Sequence, residues 1–388
     1  MPRRTEQISI SRRQALGALA VGVLGSRLSF GGTPAGSDPP TNWPLFRGDS
    51  LSSGVAKAPL PEKLELLWKT TYPEIGFEAT AAIVDGVVYA ATLDGKLVAL
   101  NLADGEERWR AQGAEIGFTA SPAFSAGKIY AGDADGKFYC FDAANGQAIW
   151  QFSAEAPIDA GANFYQDKVL FGSEDATLYC LNAADGTEAW RFQIGDQIRC
   201  CPTIVENIGF VAGCDGALHL IDLDVGKETK SVAIDAPTGC TPAVLGDRIY
   251  FGTTAATFFC IDWRKATEEW RFTAPRRSTQ FRASAAVAED IVVVGGQDRT
   301  VYAFEPSQGT ELWKFAAKSR VDSSPVIAGD RIYVGSGDGR LYALDRKSGE
   351  VRWEYESVGS FNASPAVYGD KLVIGNTTGD LLCFGKKA

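Results

Sequence analysis

The sequence predicts an all-β fold, an eight-bladed β-propeller of four-stranded blades, and three observations carry the prediction. Tryptophan recurs at Trp68, Trp109, Trp150, Trp190, Trp270, Trp313 and Trp353, at intervals of 40 to 43 residues with one double interval between Trp190 and Trp270. Between these tryptophans apolar and polar residues alternate with a period of two, and Asp-Gly and Ser-Gly pairs break the alternation, which marks hairpins. The pattern opens on a lone fourth strand and closes on a unit that lacks one, so the two ends complete each other. Four short strands in a repeat of about 40 residues is the pattern of a propeller blade.

The first 35 residues read as an export signal. Arg12-Arg13 precede a short apolar run, Ala15 to Leu24, and small residues follow. The run is too short to span a bilayer. The start Ser11-Arg12-Arg13-Gln14 resembles a twin-arginine signal. No cysteine lies beside it, so no lipid anchor is expected. The protein is therefore expected to be exported, periplasmic or otherwise extracytoplasmic, with no transmembrane segment once the signal is removed. Residues 36–63 begin Gly/Pro/Ser-rich and read as a linker and lead-in. The propeller is expected over 64–388.

In the propeller, "ELLWKTTYP" around Trp68 is a fourth strand without its first three. Residues 325 to 353 show a whole unit. "PVIAG" turns at Gly329-Asp330, "RIYVGSG" turns at Asp338-Gly339, "RLYALDRKSG" turns at Ser348-Gly349, and "EVRWEYES" follows. The second-strand position recurs at Tyr89, Tyr130, Leu170, Phe210, Tyr250, Val293, Tyr333 and Val373, which gives eight blades. "LIDLDVGKETK" aligns with "CLNAADGTEAW", so Lys230 stands where a tryptophan is expected. The last unit stops at Cys383-Phe384, and the Trp68 strand is expected to complete it and close the ring, removing exposed sheet edges.

Composition narrows the function. The formal net charge of −10, from 38 Lys+Arg against 48 Asp+Glu, excludes a nucleic-acid binder that would need a basic footprint. One His and one Met exclude a His-based triad, a His-rich metal site and a Met/His haem site. His219 falls where other blades carry Tyr139, Tyr179, Tyr302 and Tyr342, and reads as an aromatic substitute in the core. Cys140, Cys180, Cys260 and Cys383 share a position with Ala99, Leu220, Ala303 and Ala343 and read as small buried residues. Cys200 and Cys201 likewise align with small residues of the innermost strands. The aspartates Asp94, Asp135, Asp175, Asp215 and Asp338 mostly precede a turn glycine and read as turn caps rather than a metal ring.

The skeleton Ala343-x-Asp345-x-x-x-Gly349-x-x-x-Trp353, repeated around the chain, resembles the tryptophan-docking repeat of the pyrroloquinoline-quinone-like propellers and covers nearly all of 64–388. "WPLFRGD", residues 43–49, resembles the lead-in of some exported members. The resemblance implies one of two functions. One branch comprises quinoprotein dehydrogenases, which surround the quinone with a stacking Trp, a catalytic Asp and a calcium site. The other is non-catalytic and similar to BamB, a subunit of the outer-membrane β-barrel assembly machine. Seven of the nine tryptophans are repeat residues, and only Trp43 and Trp263 remain. None is left on an inner strand to stack a quinone.

One column escapes the packing logic. Three residues before each first-strand Pro or Ala, where one blade hands over to the next, stand Glu78, Thr119, Asp159, Arg199, Gly239, Arg282, Asp322 and Asn362. Loops on a rigid scaffold are where binding residues gather. The longest handover, "APRRSTQFRA", adds Arg276 and Arg277 to Arg282. "KSRVDSSP" resembles the loop by which BamB-like propellers meet their partner; Asp322 matches an acidic position there, and Arg320 stands where an acid is expected. The expected function is a non-catalytic cell-envelope scaffold, a monomeric propeller without cofactor or metal that binds a protein partner through Glu78, Asp159, Arg199, Arg276, Arg277, Arg282, Arg320, Asp322 and Asn362. The alternative is an oxidoreductase using the quinone with calcium, or a small-molecule binder, in the central funnel.

Overall fold

Alternation within each repeat produces four antiparallel strands that pair in chain order, and eight such sheets form the ring. The computed structural model describes residues 42–73, 75–276 and 279–387. The export signal and residues 36–41 lie outside the described residues. Blade 7 is representative, with strands Val326–Ala328, Arg331–Gly335, Arg340–Asp345 and Val351–Glu356. Blades 1 to 6 repeat this plan over 82–112, 123–153, 163–193, 203–233, 243–273 and 286–316. The second and third strands are buried along nearly their whole length, and the fourth alternates toward solvent. The core therefore lies between blades as well as within them.

Blade 8 is completed as the two chain ends predict. Ala366–Tyr368, Lys371–Gly375 and Asp380–Gly385 are joined by Glu65–Thr71, which pairs antiparallel with the last of these. Trp68 faces Cys383, and Thr71 faces Asp380. The Thr71 hydroxyl donates to Asp380 Oδ1 at 2.7 Å.

Each repeat tryptophan docks on the next blade. Trp313 donates from Nε1 to the Arg346 carbonyl at 2.9 Å, and Trp270 to the Pro306 carbonyl at 2.9 Å. In six of the seven, Trp353 apart, the ring lies against the turn glycine of the next blade's motif. A Cβ at Gly349 would sit 2.5 Å from Trp313 Cε3, and Gly349 has a positive φ of 70°, so the position demands glycine on both counts. Inside its own blade each tryptophan faces a small residue across the strand pair, as with Trp270 and Cys260 or Trp313 and Ala303. The alternation of Cys with Ala in that column is thereby explained.

The junction between blades 4 and 5 is rebuilt as a set. Lys230 replaces the tryptophan and donates from Nζ to the Arg264 carbonyl, the equivalent acceptor. Its cross-strand neighbour is the large Leu220 instead of Ala or Cys. The receiving turn carries Ala266 instead of glycine, still at positive φ. Trp263 of blade 5 packs edge-on against Phe210 of blade 4, ring centroids 5.3 Å apart. The missing indole is thus supplied from the other side of the junction.

The lead-in departs from the linker expectation. Buried residues begin at Trp43, well before Leu64. The innermost strand of every blade is an open sheet edge, with backbone N–H groups that need acceptors. Residues 43–56 run around the channel and supply acceptors to six of the eight blades. Phe124 donates to the Pro44 carbonyl, Ile204 to Ser50, Val244 to Leu51, Val287 to Ser53 and Ile327 to Gly54, all at 2.8 to 2.9 Å. Trp43 exchanges both backbone bonds with Ile83. Arg47 crosses to the far side of the ring and its guanidinium donates to the carbonyls of Ala285, Ser324 and Pro325. Burial lowers its pKa to about 9, which leaves it charged at neutral pH.

Candidate functional site

The handover column converges. All eight residues line one central bowl at the mouth of the ring, in a cavity of about 190 Å³. The repeat dictates this: each handover follows a fourth strand on the outside and must reach the innermost strand of the next blade, so equivalent residues meet around the axis. Beneath them lies a belt two positions further along. The Thr80 amide donates to Ser121 Oγ, Cys201 to Thr241, Thr241 to Ser284, Ser284 to Ser324, Ser324 to Ser364 and Ser364 to Thr80, at 2.9 to 3.3 Å. The two missing links are those that would end on Gly161 and on the Cys201 thiol. The sequence reads these positions as small packing residues; the recurrent Ser/Thr is the signal for the belt.

The floor was also missed. Phe46 of the lead-in enters the bowl at the break in the belt, its Cβ 3.5 Å from where a Cβ at Gly161 would lie. With Arg47 below it, the lead-in plugs the channel. The signal was a cluster of Trp43, Leu45, Phe46 and Arg47 in an otherwise Gly/Pro-rich stretch.

The charges of the bowl are organised in local pairs. Arg320 Nε meets Asp322 Oδ2 at 2.9 Å, and Gln297 donates to Asp322 Oδ1 at 2.9 Å. Arg199 Nε meets Glu174 Oε1 at 2.8 Å, and Thr119 donates to Asp159 Oδ1 at 2.6 Å. Burial and the neighbouring Asp159 carboxylate hold the Glu174 carboxyl above its usual value, against the pull of Arg199. Asn362 reaches Glu78 at 3.4 Å. Arg276 does not join the bowl; it lines a separate surface cleft with Asp298 and Arg299. Arg277 lies outside the described residues.

The remaining candidates are structural. His219 is buried and bonds Asp215 through Nε2 at 3.0 Å, as Tyr179 bonds Asp175 and Tyr342 bonds Asp338 in their blades. All eight cysteines are free thiols, and burial pushes Cys200 up to about 12. Among the described residues no group of three or more His, Cys, Asp or Glu is placed to hold a metal ion.

The family model described as outer membrane protein assembly factor BamB matches residues 61–158, 139–230 and 260–387. The chain belongs to the BamB family. The interval left between matches starts directly after Lys230 and contains Gly239. BamB from Moraxella catarrhalis superposes with a TM-score of 0.71 at 19% identity, over 84% of this chain and 98% of that one. Quinohemoprotein alcohol dehydrogenase from Comamonas testosteroni gives 0.77 at 15% identity, over 90% and 81%. A europium-containing methanol dehydrogenase gives 0.73 at 11%, over 89% and 98%. At these identities the likeness to solved structures is one of fold alone. Among curated protein sequences no match is found.

Proposed function

We propose that this BamB-family propeller is a non-catalytic scaffold of the cell envelope that holds a protein partner against the mouth of its central bowl. The observation that carries the reading is the shape of the bowl. It is plugged from below by Phe46 and Arg47, it encloses about 190 Å³, and its rim presents a varied ring of charged and polar groups. Ordinary small-molecule sites enclose about 300–1,000 Å³. A plugged bowl with a charged rim suits a protein surface laid across it. Export, a periplasmic or other extracytoplasmic location and a role in outer-membrane assembly belong to the same proposal, supported by the signal-like N-terminus and the family.

The quinone reading fits the residues poorly. The aromatic side chain in the bowl is Phe46, with no tryptophan among the lining residues, and the rim acids Glu78, Asp159 and Asp322 each have their own polar partner.

The test is recovery of partners from envelope extracts with the tagged protein. Glu78→Arg combined with Asp322→Arg reverses the charge at two rim positions, the exposed Glu78 and the half-buried Asp322, and is expected to abolish capture of a partner held by the native chain. Equal recovery of every captured protein by both would overturn the scaffold reading.

A further inference from the structure

Among the eight handover positions Gly239 alone has no side chain. The bowl wall is therefore breached between the loops entering blades 4 and 6. A cleft of about 440 Å³ opens there and shares Arg199, Gly239 and Arg282 with the bowl. Pro237, Phe281 and Cys214 give it a partly apolar wall.

Two guanidinium groups face this gap. Arg199 is anchored through Nε on Glu174 at 2.8 Å, and Arg282 through Nε on the Gln280 amide oxygen at 3.1 Å. Those contacts leave the terminal nitrogens of both forks free of hydrogen bonds among the described residues. Asp322, the next rim acid, is already engaged by Arg320 and Gln297 and does not pair with Arg282. Asp196 also lines the cleft, and its Oδ1 accepts from the Gln197 amide at 2.7 Å. Glu174 and Asp196 balance the two guanidinium charges overall, but neither carboxylate occupies the terminal nitrogens of the forks.

Two open guanidinium forks over a cleft of this size suit a carboxylate on a short aliphatic stem, since the forks bond the oxygens pairwise and the apolar wall takes the methylenes. We propose that the Arg199–Gly239–Arg282 cleft is a carboxylate-binding site that takes an acidic side chain or the terminal carboxylate of an extended peptide segment. The peptide source rests on the scaffold reading; the carboxylate chemistry does not.

Fluorescence anisotropy on the full chain tests it with four labelled or competing probes. These are an amidated Gly-Ser-Glu-Asp-Glu-Gly peptide, its Gln/Asn counterpart amidated, the same neutral peptide with a free C-terminus, and glutarate as competitor. Binding of the acidic or the free-C-terminus peptide, but not the amidated neutral one, is expected. Arg282→Gln should weaken it about tenfold or more, the loss of a charged hydrogen-bonding partner. Arg271→Gln removes the same charge on the outer strand of blade 5, away from the cleft, and should leave binding unchanged. Both arginines are exposed, so melting temperatures should match the parent. Displacement by glutarate supports the site and assigns it to small acids; retention of the peptide supports it and assigns it to peptides. Equal binding of the amidated neutral peptide, equal effects of the two substitutions, or no binding of either carboxylate probe would overturn the site. Lost peptide binding with partner capture intact removes the cleft alone, whereas intact peptide binding with no partner captured removes the scaffold reading alone.

Discussion

At the scale of single residues, the blade 4–5 junction shows what the repeat requires. A docked indole needs a glycine to lie on, a small residue opposite and a carbonyl to accept its N–H, and where Lys230 replaces it only the carbonyl is kept: Leu220 fills the cross-strand space, Ala266 replaces the glycine and Trp263 packs from the other side. Trp270→Ala should therefore cost about 3–5 kcal/mol, since it empties a closely packed site and removes one of the two donors to the Pro306 carbonyl, which keeps the Tyr250 hydroxyl. Lys230→Ala should cost under about 1 kcal/mol, because the lysine is exposed and its bond competes with water. Lys230→Trp alone should destabilise by about 1–3 kcal/mol through overpacking, and adding Leu220→Ala and Trp263→Leu should recover most of that loss. Denaturant midpoints of the single and triple variants measure all of this. A lone Lys230→Trp that stabilises would show that the junction is not a coupled set.

At the scale of elements, the strands and the ring of eight were legible because the period of two, the turn pairs and the tryptophan interval all arise from local physics repeated in every blade. The bowl was half legible. Its eight lining residues stood out because Glu, Thr, Asp, Arg, Gly and Asn share one column, while packing holds the flanking positions constant. Which charges pair was not legible, since Arg199 meets Glu174 and Asp322 meets Gln297 across turns of different blades. The lead-in was misread for a related reason. A strap that satisfies open sheet edges needs neither periodicity nor a strand pattern of its own; it needs carbonyls at the right intervals and a few buried anchors. Arg47 is the chief anchor, with three carbonyl acceptors and little exposure. Arg47→Ala should cost about 1–3 kcal/mol by leaving buried carbonyls unpaired. Amide exchange should then rise selectively at Ile204, Val244, Val287 and Ile327, whose N–H groups the strap receives, with the third strands still protected. Uniform loss of protection across all strands would mean that the strap is not a separate unit.

At the scale of the whole molecule, the ring has one clasp, and the clasp is the contact with the greatest chain separation. Thr71 and Asp380 meet across 309 residues, while every other blade is built from neighbouring hairpins. Closing so long a loop is entropically late, because local hairpins form without it. Trp68 belongs to this clasp: it faces Cys383 inside blade 8 and docks on blade 1, where its Nε1 donates to the Leu102 carbonyl at 2.9 Å. Trp68 and Trp270 are both buried to 8% exposure and make the same bond, so removing either should cost a similar amount at equilibrium. The kinetics should separate them. If the clasp forms after the rate-limiting step, Trp68→Ala leaves the folding rate nearly unchanged, and a loss of about 3 kcal/mol appears as an unfolding rate about a hundredfold higher. Trp270→Ala, at a junction between consecutive blades, should slow folding as well. Denaturant-jump measurements on the two variants give both rates. A Trp68→Ala variant that folds as slowly as Trp270→Ala would place ring closure before the barrier and make the clasp part of the folding nucleus.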